Sequence, residues 1–216
     1  MIKNELIIIR HARSKYNLRD SDDLDDGISE FGEKQAKNVG DFVHSSLDLT
    51  EHKFYTSPFL RCLQTADFIA SPSEISPIVM PQLREYLNHS GRGVHVPNRK
   101  EIFSKMNWNV YPDIGETYAE EFNETFLHRM HEAYMLLPEK SVVVTHGLPA
   151  LALLHVATET RTNSVPVWDH SIDNCSITII RRGRVIWRGR NLYHEHDFNQ
   201  KNYHRDWDGV VKGDKR

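Results

Sequence analysis

"LIIIRHARSKYN", residues 6–17, sets four apolar residues directly against two arginines, a histidine, a lysine and an asparagine. The run 6–9 is short, branched and uncharged, which reads as a strand buried on both faces of a sheet. In an open α/β sheet, ligands gather outside the carboxyl ends of the strands, so the side chains that directly follow such a run are the first candidates for chemistry. Arg10 and His11 hold that place.

Working outward, strand-like runs at 6–9, 53–56, 75–80 and 141–145 alternate with helical patterns at about 30–47, 58–70 and 148–158. A hairpin pairs 176–180 with 185–188 around Gly183. This alternation predicts a three-layer α/β/α sandwich with a mostly parallel sheet. Between 82 and 138 the pattern shifts to loops and a long polar helix at about 118–137, read as a cap inserted over one end of the sheet. The residues from about 206 onward read as a frayed tail.

The 216 residues suit a single domain with that insertion, at 39% hydrophobic, 26% charged and a formal net charge of −3. These values place the chain among ordinary soluble proteins rather than disordered or membrane ones, and bulk charge says little about partners. No run approaches the roughly 20 apolar residues that span a bilayer, and a cytoplasmic location is expected. Cys62 and Cys175 read as buried free thiols.

Two further positions follow the rule set by Arg10 and His11. In "YTSPFLRCLQTADFIA", residues 55–70, Ser57 suits a helix N-cap, Pro58 the first helical position, and Phe59, Cys62, Ala66 and Ile69 form one apolar face. Arg61 then sits in the first turn, where the helix dipole disfavours a cation. An anion bound there resolves the conflict; so does a turn outward to solvent or to the acidic stretch 21–26. His146 follows the strand at 141–145. Two arginines with planar donor forks and two histidines at one sheet edge suit a phosphate dianion.

These residues carry a resemblance. "RHARSKYN" (10–17) resembles the R-H-G-E-x-x-x-N signature of the histidine phosphatase superfamily, the phosphoglycerate mutase-like family. "ISEFGEKQA" (28–36), "TSPFLRCLQTA" (56–66), "LRE" (83–85), "VVVTHG" (142–147), "DNCSITII" (173–180) and "NLYHEHD" (191–197) resemble its later blocks in order. The resemblance implies that His11 is the nucleophile and becomes phosphohistidine. It places Arg10, Arg61 and His146 in the phosphate clamp, Asn17 as a further phosphate contact, and Glu85 as general acid and base with a raised pKa. Arginines and an imidazolium then neutralise the phosphoryl oxygens, so neither metal nor cofactor is expected.

Two departures stand out. Ala12 replaces the family glycine, and Arg13 replaces the usual glutamate. Arg13 and Lys15 either favour a second anionic group on the substrate or face the acidic stretch 22–26. The cap segment 88–100 carries His89, Arg92, His95, Arg99 and Lys100; it reads either as a substrate-selecting surface, with His89 and Arg92 as contacts, or as a solvated loop. Glu116, in "GET" (115–117), is an alternative acid.

Other chemistries fit less well. Cys175 and Arg181 satisfy C-x5-R, but the intervening "SITII" is a strand rather than a loop whose amides cradle phosphate. Thirteen histidines include no metal-binding spacing. The arginine-rich hairpin "RRGRVIWRGR" (181–190) guards a sheet edge more readily than it binds nucleic acid. The expected activity is therefore hydrolysis of a small phosphomonoester. Mutase-type phosphotransfer and a non-catalytic phosphate-binding module on the same fold are the alternatives.

Overall fold

The computed structural model describes residues 2–72, 75–87, 93–158 and 172–192. His89, Arg92, the closing block beyond residue 192 and the tail lie outside the described residues. The elements run β1 (Glu5–Arg10), α1 (Lys15–Leu18), α2 (Glu30–Ser46), β2 (Lys53–Thr56), α3 (Leu60–Ala70), β3 (Ile78–Val79), β4 (Val94–Val96), β5 (Glu116–Tyr118), α4 (Asn123–Leu136), β6 (Lys140–Thr145), α5 (Gly147–Ala157), β7 (Ile177–Arg181) and β8 (Arg184–Arg190).

Six strands form one sheet in the order β3-β2-β6-β1-β7-β8, parallel from β3 to β1 and antiparallel at β7 and β8. Successive side chains of β1 point to opposite faces. Ile7 and Ile9 join α2, α3, Val142 and Val144 in one buried cluster, while Leu6 and Ile8 join α4, α5 and Val143 in the other. The three layers of the sequence reading are therefore present.

The chain leaves β1 toward α2 on one face and leaves the adjacent β6 toward α5 on the other. Diverging connections between neighbouring parallel strands open a crevice at their carboxyl ends. This is where Arg10, His11 and His146 lie.

Element ends depart from the sequence reading in three places. Helix α3 begins at Leu60 rather than Pro58, because Ser57 is held by the sheet through its amide, which donates to the Val144 carbonyl at 3.0 Å. Strand β3 is only Ile78–Val79. The helix expected from 118 starts at Asn123, since Glu116–Tyr118 is taken up as β5 against β4. Helix α4 lies within the span read as a cap, yet Phe126, Met130 and Ala133 are fully buried in the second core cluster. Among the described residues, no helix is long and apolar enough to cross a membrane.

The approach of α2 to the loop after β1 depends on one glycine. Ser29 donates both its amide (2.8 Å) and its hydroxyl (2.9 Å) to the Arg13 carbonyl, and a Cβ on Gly32 would sit 2.3 Å from that same oxygen. Helix and loop must separate to admit it. Gly32→Ala is expected to destabilise the protein by about 2 kcal/mol, the usual scale of overpacking, as measured by denaturant unfolding. An unchanged midpoint would contradict this account of the packing.

Candidate active site

The loop from β1 is tied into the sheet edge by its own backbone. The His11 amide donates to the Thr145 carbonyl at 2.8 Å, and the Ala12 amide to Thr65 Oγ1 at 3.0 Å. Ala12 is fully buried, and it is not among the described non-glycine residues with positive φ. Its backbone is therefore open to any L-residue, and the change from the family glycine costs no backbone strain.

His11 is nearly inaccessible at 1% exposure, and its two ring nitrogens have distinct partners. Nδ1 lies 2.7 Å from the Ala12 carbonyl, which only accepts, so Nδ1 carries the proton. Nε2 keeps its lone pair and accepts from Arg61 Nε at 3.2 Å. Burial, then the charges of Arg61 and Arg10, hold the His11 pKa well below its ordinary value. A neutral imidazole with a lone pair on Nε2 is the nucleophilic form.

Arg61 reaches this point because α3 starts one residue before it. The helix has no cap from its own first residues; Asp25 Oδ1 instead accepts the Leu60 amide at 2.8 Å. Arg61 Nη1 donates to the Leu24 carbonyl at 2.6 Å, and its guanidinium lies 5.0 Å from the Phe59 ring centroid. Arg61 thus touches the 21–26 stretch through a carbonyl, while its Nε and Nη2 face His11 and Glu85. Asp25 Oδ2 pairs with Arg99 at 2.7 Å, and Asp26, beside Arg61 and raised by burial to about 6, takes the Tyr16 amide.

His146 caps α5 and stacks edge-on to His11, with ring centroids 5.2 Å apart. Its Nε2 lies 2.8 Å from Ser57 Oγ, and its Nδ1 lies 3.3 Å from Glu85 Oε2. Burial first, then Arg61, depresses the His146 pKa strongly, so the imidazolium expected from sequence is not the resting form. A bound dianion would supply the charge that favours protonation.

Glu85 follows the short 3-10 turn at Pro81–Leu83. Oε1 accepts the Tyr86 amide at 3.0 Å, which leaves Oε2 facing Arg61 Nη2 (3.7 Å) and His146 Nδ1. Burial raises the Glu85 pKa, with Arg61 the main opposing influence. Oε2, the oxygen not taken by the Tyr86 amide, is thus the one that faces His146 and Arg61 in the site.

Arg10 is buried beside the start of α5. Its Nη1 donates to the Ile172 carbonyl, and a Cβ on Gly147 would lie 3.6 Å from its Nε. Asn17 completes a capping box with Ser14, and its Oδ1 also accepts from Asn174 Nδ2 at 3.2 Å. With Oδ1 committed inward, Nδ2 is the donor group Asn17 has left.

The sequence pattern does not assign Ser57 or Asn174 to the site. Ser57 directly follows β2 and obeys the same post-strand rule, but locally it reads as a helix N-cap. Asn174 has no local signature; it reaches the His11 carbonyl at 3.0 Å only because β7 lies beside β1.

The structure thus brings His11, Arg61, Glu85 and His146 into mutual contact. Glu116 instead sits on β5, opposite Val96. Cys175 is buried and Arg181 lies at the far end of β7, paired with Glu5 at 2.8 Å, so the C-x5-R match forms no cradle. Of the cap cations within the described residues, Arg99 pairs with Asp25, Lys100 with Asp113 at 2.8 Å, and His95 contacts Thr117. They offer little net charge to a polyanion.

His11, Glu85 and His146 bring ligand atoms within 4.8 Å of one another, close enough to hold a metal ion. The electrostatics oppose this. Arg61 already occupies the His11 Nε2 lone pair, and its charge and that of Arg10 depress both histidines. The same field attracts an anion.

Comparison with known proteins agrees with this geometry. A relative from Xenopus laevis, fructose-2,6-bisphosphatase TIGAR, is 26% identical over 206 residues, which cover 86% of this chain and 74% of the relative. The transcription factor tau 55 kDa subunit of Saccharomyces cerevisiae (strain ATCC 204508 / S288c) is 29% identical over 178 residues, 71% of this chain but 40% of that relative's length. The solved structure of the Bombix mori ecdysone phosphate phosphatase, in complex with tungstate, superposes with a TM-score of 0.65 at 16% identity, covering 87% of this chain and 93% of that one. The family model of the histidine phosphatase superfamily, branch 1, matches residues 6–193, nearly the whole span over which the sequence blocks run. From the matched blocks, the shared sheet and the match over most of its length, the chain belongs to the histidine phosphatase superfamily.

Proposed function

We propose that this protein hydrolyses phosphomonoesters through a phosphohistidine on His11, with no metal ion. The observation that carries this reading is the tautomer of His11: the Ala12 carbonyl takes Nδ1–H and leaves the Nε2 lone pair beside the Arg61 guanidinium. Phosphatase names among the relatives support the reaction class.

In the first step His11 Nε2 attacks phosphorus and the bond from phosphorus to the ester oxygen breaks. Glu85 Oε2–H gives its proton to that leaving oxygen, so an alcohol departs and Glu85 is left as carboxylate. In the second step the carboxylate takes a proton from water as the water oxygen bonds to phosphorus. The phosphorus–Nε2 bond breaks, and inorganic phosphate leaves with His11 neutral again. Arg10, Arg61 and a His146 protonated on substrate binding stabilise the phosphoryl oxygens, with Asn17 Nδ2 as a further donor. Arg13, half-buried at the end of the same loop, is a candidate contact for a second substrate anion.

The test is phosphate release from 4-nitrophenyl phosphate with excess chelator from acidic to neutral pH. Glu85 must start protonated, so activity should fall as pH rises through its raised pKa. Chelator-resistant release is expected. Release that disappears with chelator and returns with a divalent cation would overturn the metal-free reading. A mutase would use the same groups, and rapid phosphoryl exchange in a bisphosphoglycerate-primed assay with little phosphate release would favour it.

A further inference from the structure

The segment that carries Glu85 has almost no regular structure of its own. After the turn at Pro81–Leu83 the chain runs extended through the interior, and its carbonyls need partners that neither a helix nor a sheet provides. One buried side chain supplies three of them. Arg129, on α4, donates from Nη1 to the Gln82 carbonyl at 2.6 Å and to the Arg84 carbonyl at 3.1 Å, and from Nη2 to the Glu85 carbonyl at 3.4 Å. Thr145 Oγ1, from β6, donates to the Leu83 carbonyl at 2.7 Å.

Arg129 is itself held from the opposite side. Its Nε donates to Glu121 Oε2 at 3.0 Å and its Nη2 to Oε1, a two-point pair between side chains 6% and 5% exposed. The Glu121 amide donates in turn to the Leu87 carbonyl at 2.9 Å, on the far side of Glu85. Glu121 Oε2 also lies 3.6 Å from Arg84 Nη2. Glu85 is thus bracketed on both sides by one buried ion pair. Its Oε2 has only a narrow working position, between His146 Nδ1 at 3.3 Å and Arg61 Nη2 at 3.7 Å.

We infer that Arg129, clasped by Glu121, is a positioning residue for the general acid: its guanidinium replaces a missing strand partner and fixes the backbone from which Glu85 reaches the leaving group. The inference rests on the proposed role of Glu85. Arg129 touches neither His11 nor His146 among the contacts described and acts on His146 only through its charge, so phosphate binding should survive a substitution that keeps that charge. A lysine keeps the charge but cannot reach three carbonyls and a carboxylate together, since it lacks the planar fork.

The experiment compares wild type, Arg129→Lys, Glu85→Gln and the double variant on phenyl phosphate and 4-nitrophenyl phosphate, with inorganic phosphate as competitive inhibitor. Phenolate needs protonation more than nitrophenolate, so loss of a well-placed acid shows as a steeper dependence on the leaving group. Glu85→Gln should slow phenyl phosphate the more. Arg129→Lys should show the same bias, with kcat on phenyl phosphate down about 100-fold, the scale of a misplaced catalytic group, and phosphate inhibition unchanged. The double variant should be no slower than Glu85→Gln alone. Losses that multiply in the double variant, or equal losses on both esters, would overturn the positioning role. A Glu85→Gln enzyme that keeps full activity would instead overturn the role of Glu85, and a wild type inert to both esters the hydrolase reading. If Arg129→Lys does not fold, Glu121→Gln, which loosens the clasp and leaves Arg129 in place, is expected to give the same bias with a smaller loss; no bias there would also overturn the inference.

Discussion

His11→Ala is expected to abolish phosphate release, with kcat reduced at least 10⁴-fold, about 5.5 kcal/mol of transition-state stabilisation. No other described side chain stands in for it. His146 is the nearest imidazole, but its Nε2 is engaged by Ser57 and its Nδ1 faces Glu85. Cys62 Sγ, 3.5 Å from His146 Nε2, is buried, and burial pushes its thiol pKa far up, so it supplies no thiolate. Arg10, Arg61 and His146 remain, so inorganic phosphate should still bind.

The same substitution has a signature in stability. The folded-state pKa of His11 lies below its ordinary value of 6.5, so the unfolded chain binds the extra proton first as pH falls. The stability associated with neutral His11 is complete above 6.5 and is lost as pH drops below it. His146 behaves in the same direction. His11→Ala should therefore unfold with a shallower pH dependence below 6.5 than wild type. Residual turnover that survives purification, or a lost phosphate affinity in a folded variant, would contradict the assignment of His11 as nucleophile alone.

Arg61→Ala is the second large effect. The guanidinium acts at three places: its Nε on His11, its Nη2 near Glu85, and its Nη1 on the Leu24 carbonyl. Removing a preorganised donor from a transition-state site of this kind costs about 10³-fold in kcat. Arg61→Lys should recover little, because one ammonium cannot serve two directions in the plane of the fork. Arg61 is also the largest charge lowering the His11 pKa. Without it that pKa rises, so the acid limb of the kcat/KM profile should move to higher pH. In wild type, Arg61 opposes the effect of burial on Glu85, so the Glu85 pKa should rise as well. The measurement is kcat/KM against pH with 4-nitrophenyl phosphate. A loss under tenfold with an unmoved acid limb would show that Arg61 does not act on His11.

Much of the molecule is written in local pattern. The buried run before Arg10 can be only a central strand, and alternation along it sends Ile7 and Ile9 to one helix layer and Leu6 and Ile8 to the other. The post-strand rule then picks out Arg10, His11 and His146, while helical periodicity places Arg61 in a first turn. These features depend on near neighbours in the chain and on the family blocks, so the sequence by itself determined the layered fold, its family and the residues at the sheet edge.

Contacts between distant segments were decided only by the tertiary structure. Asp25 caps α3 from 35 residues away, Asn174 reaches His11 across β7, and Arg129 holds the Glu85 segment from 44 residues away. The extent of β3 and the start of α3 were likewise set by pairing with neighbouring strands, which overrode local helix and strand preference. The protonation of the site belongs to the same class. The family resemblance implies a raised Glu85 pKa but not its cause; full burial raises it against the opposing arginines, while burial and the same arginines together depress both histidines, and burial is a property of the packed fold.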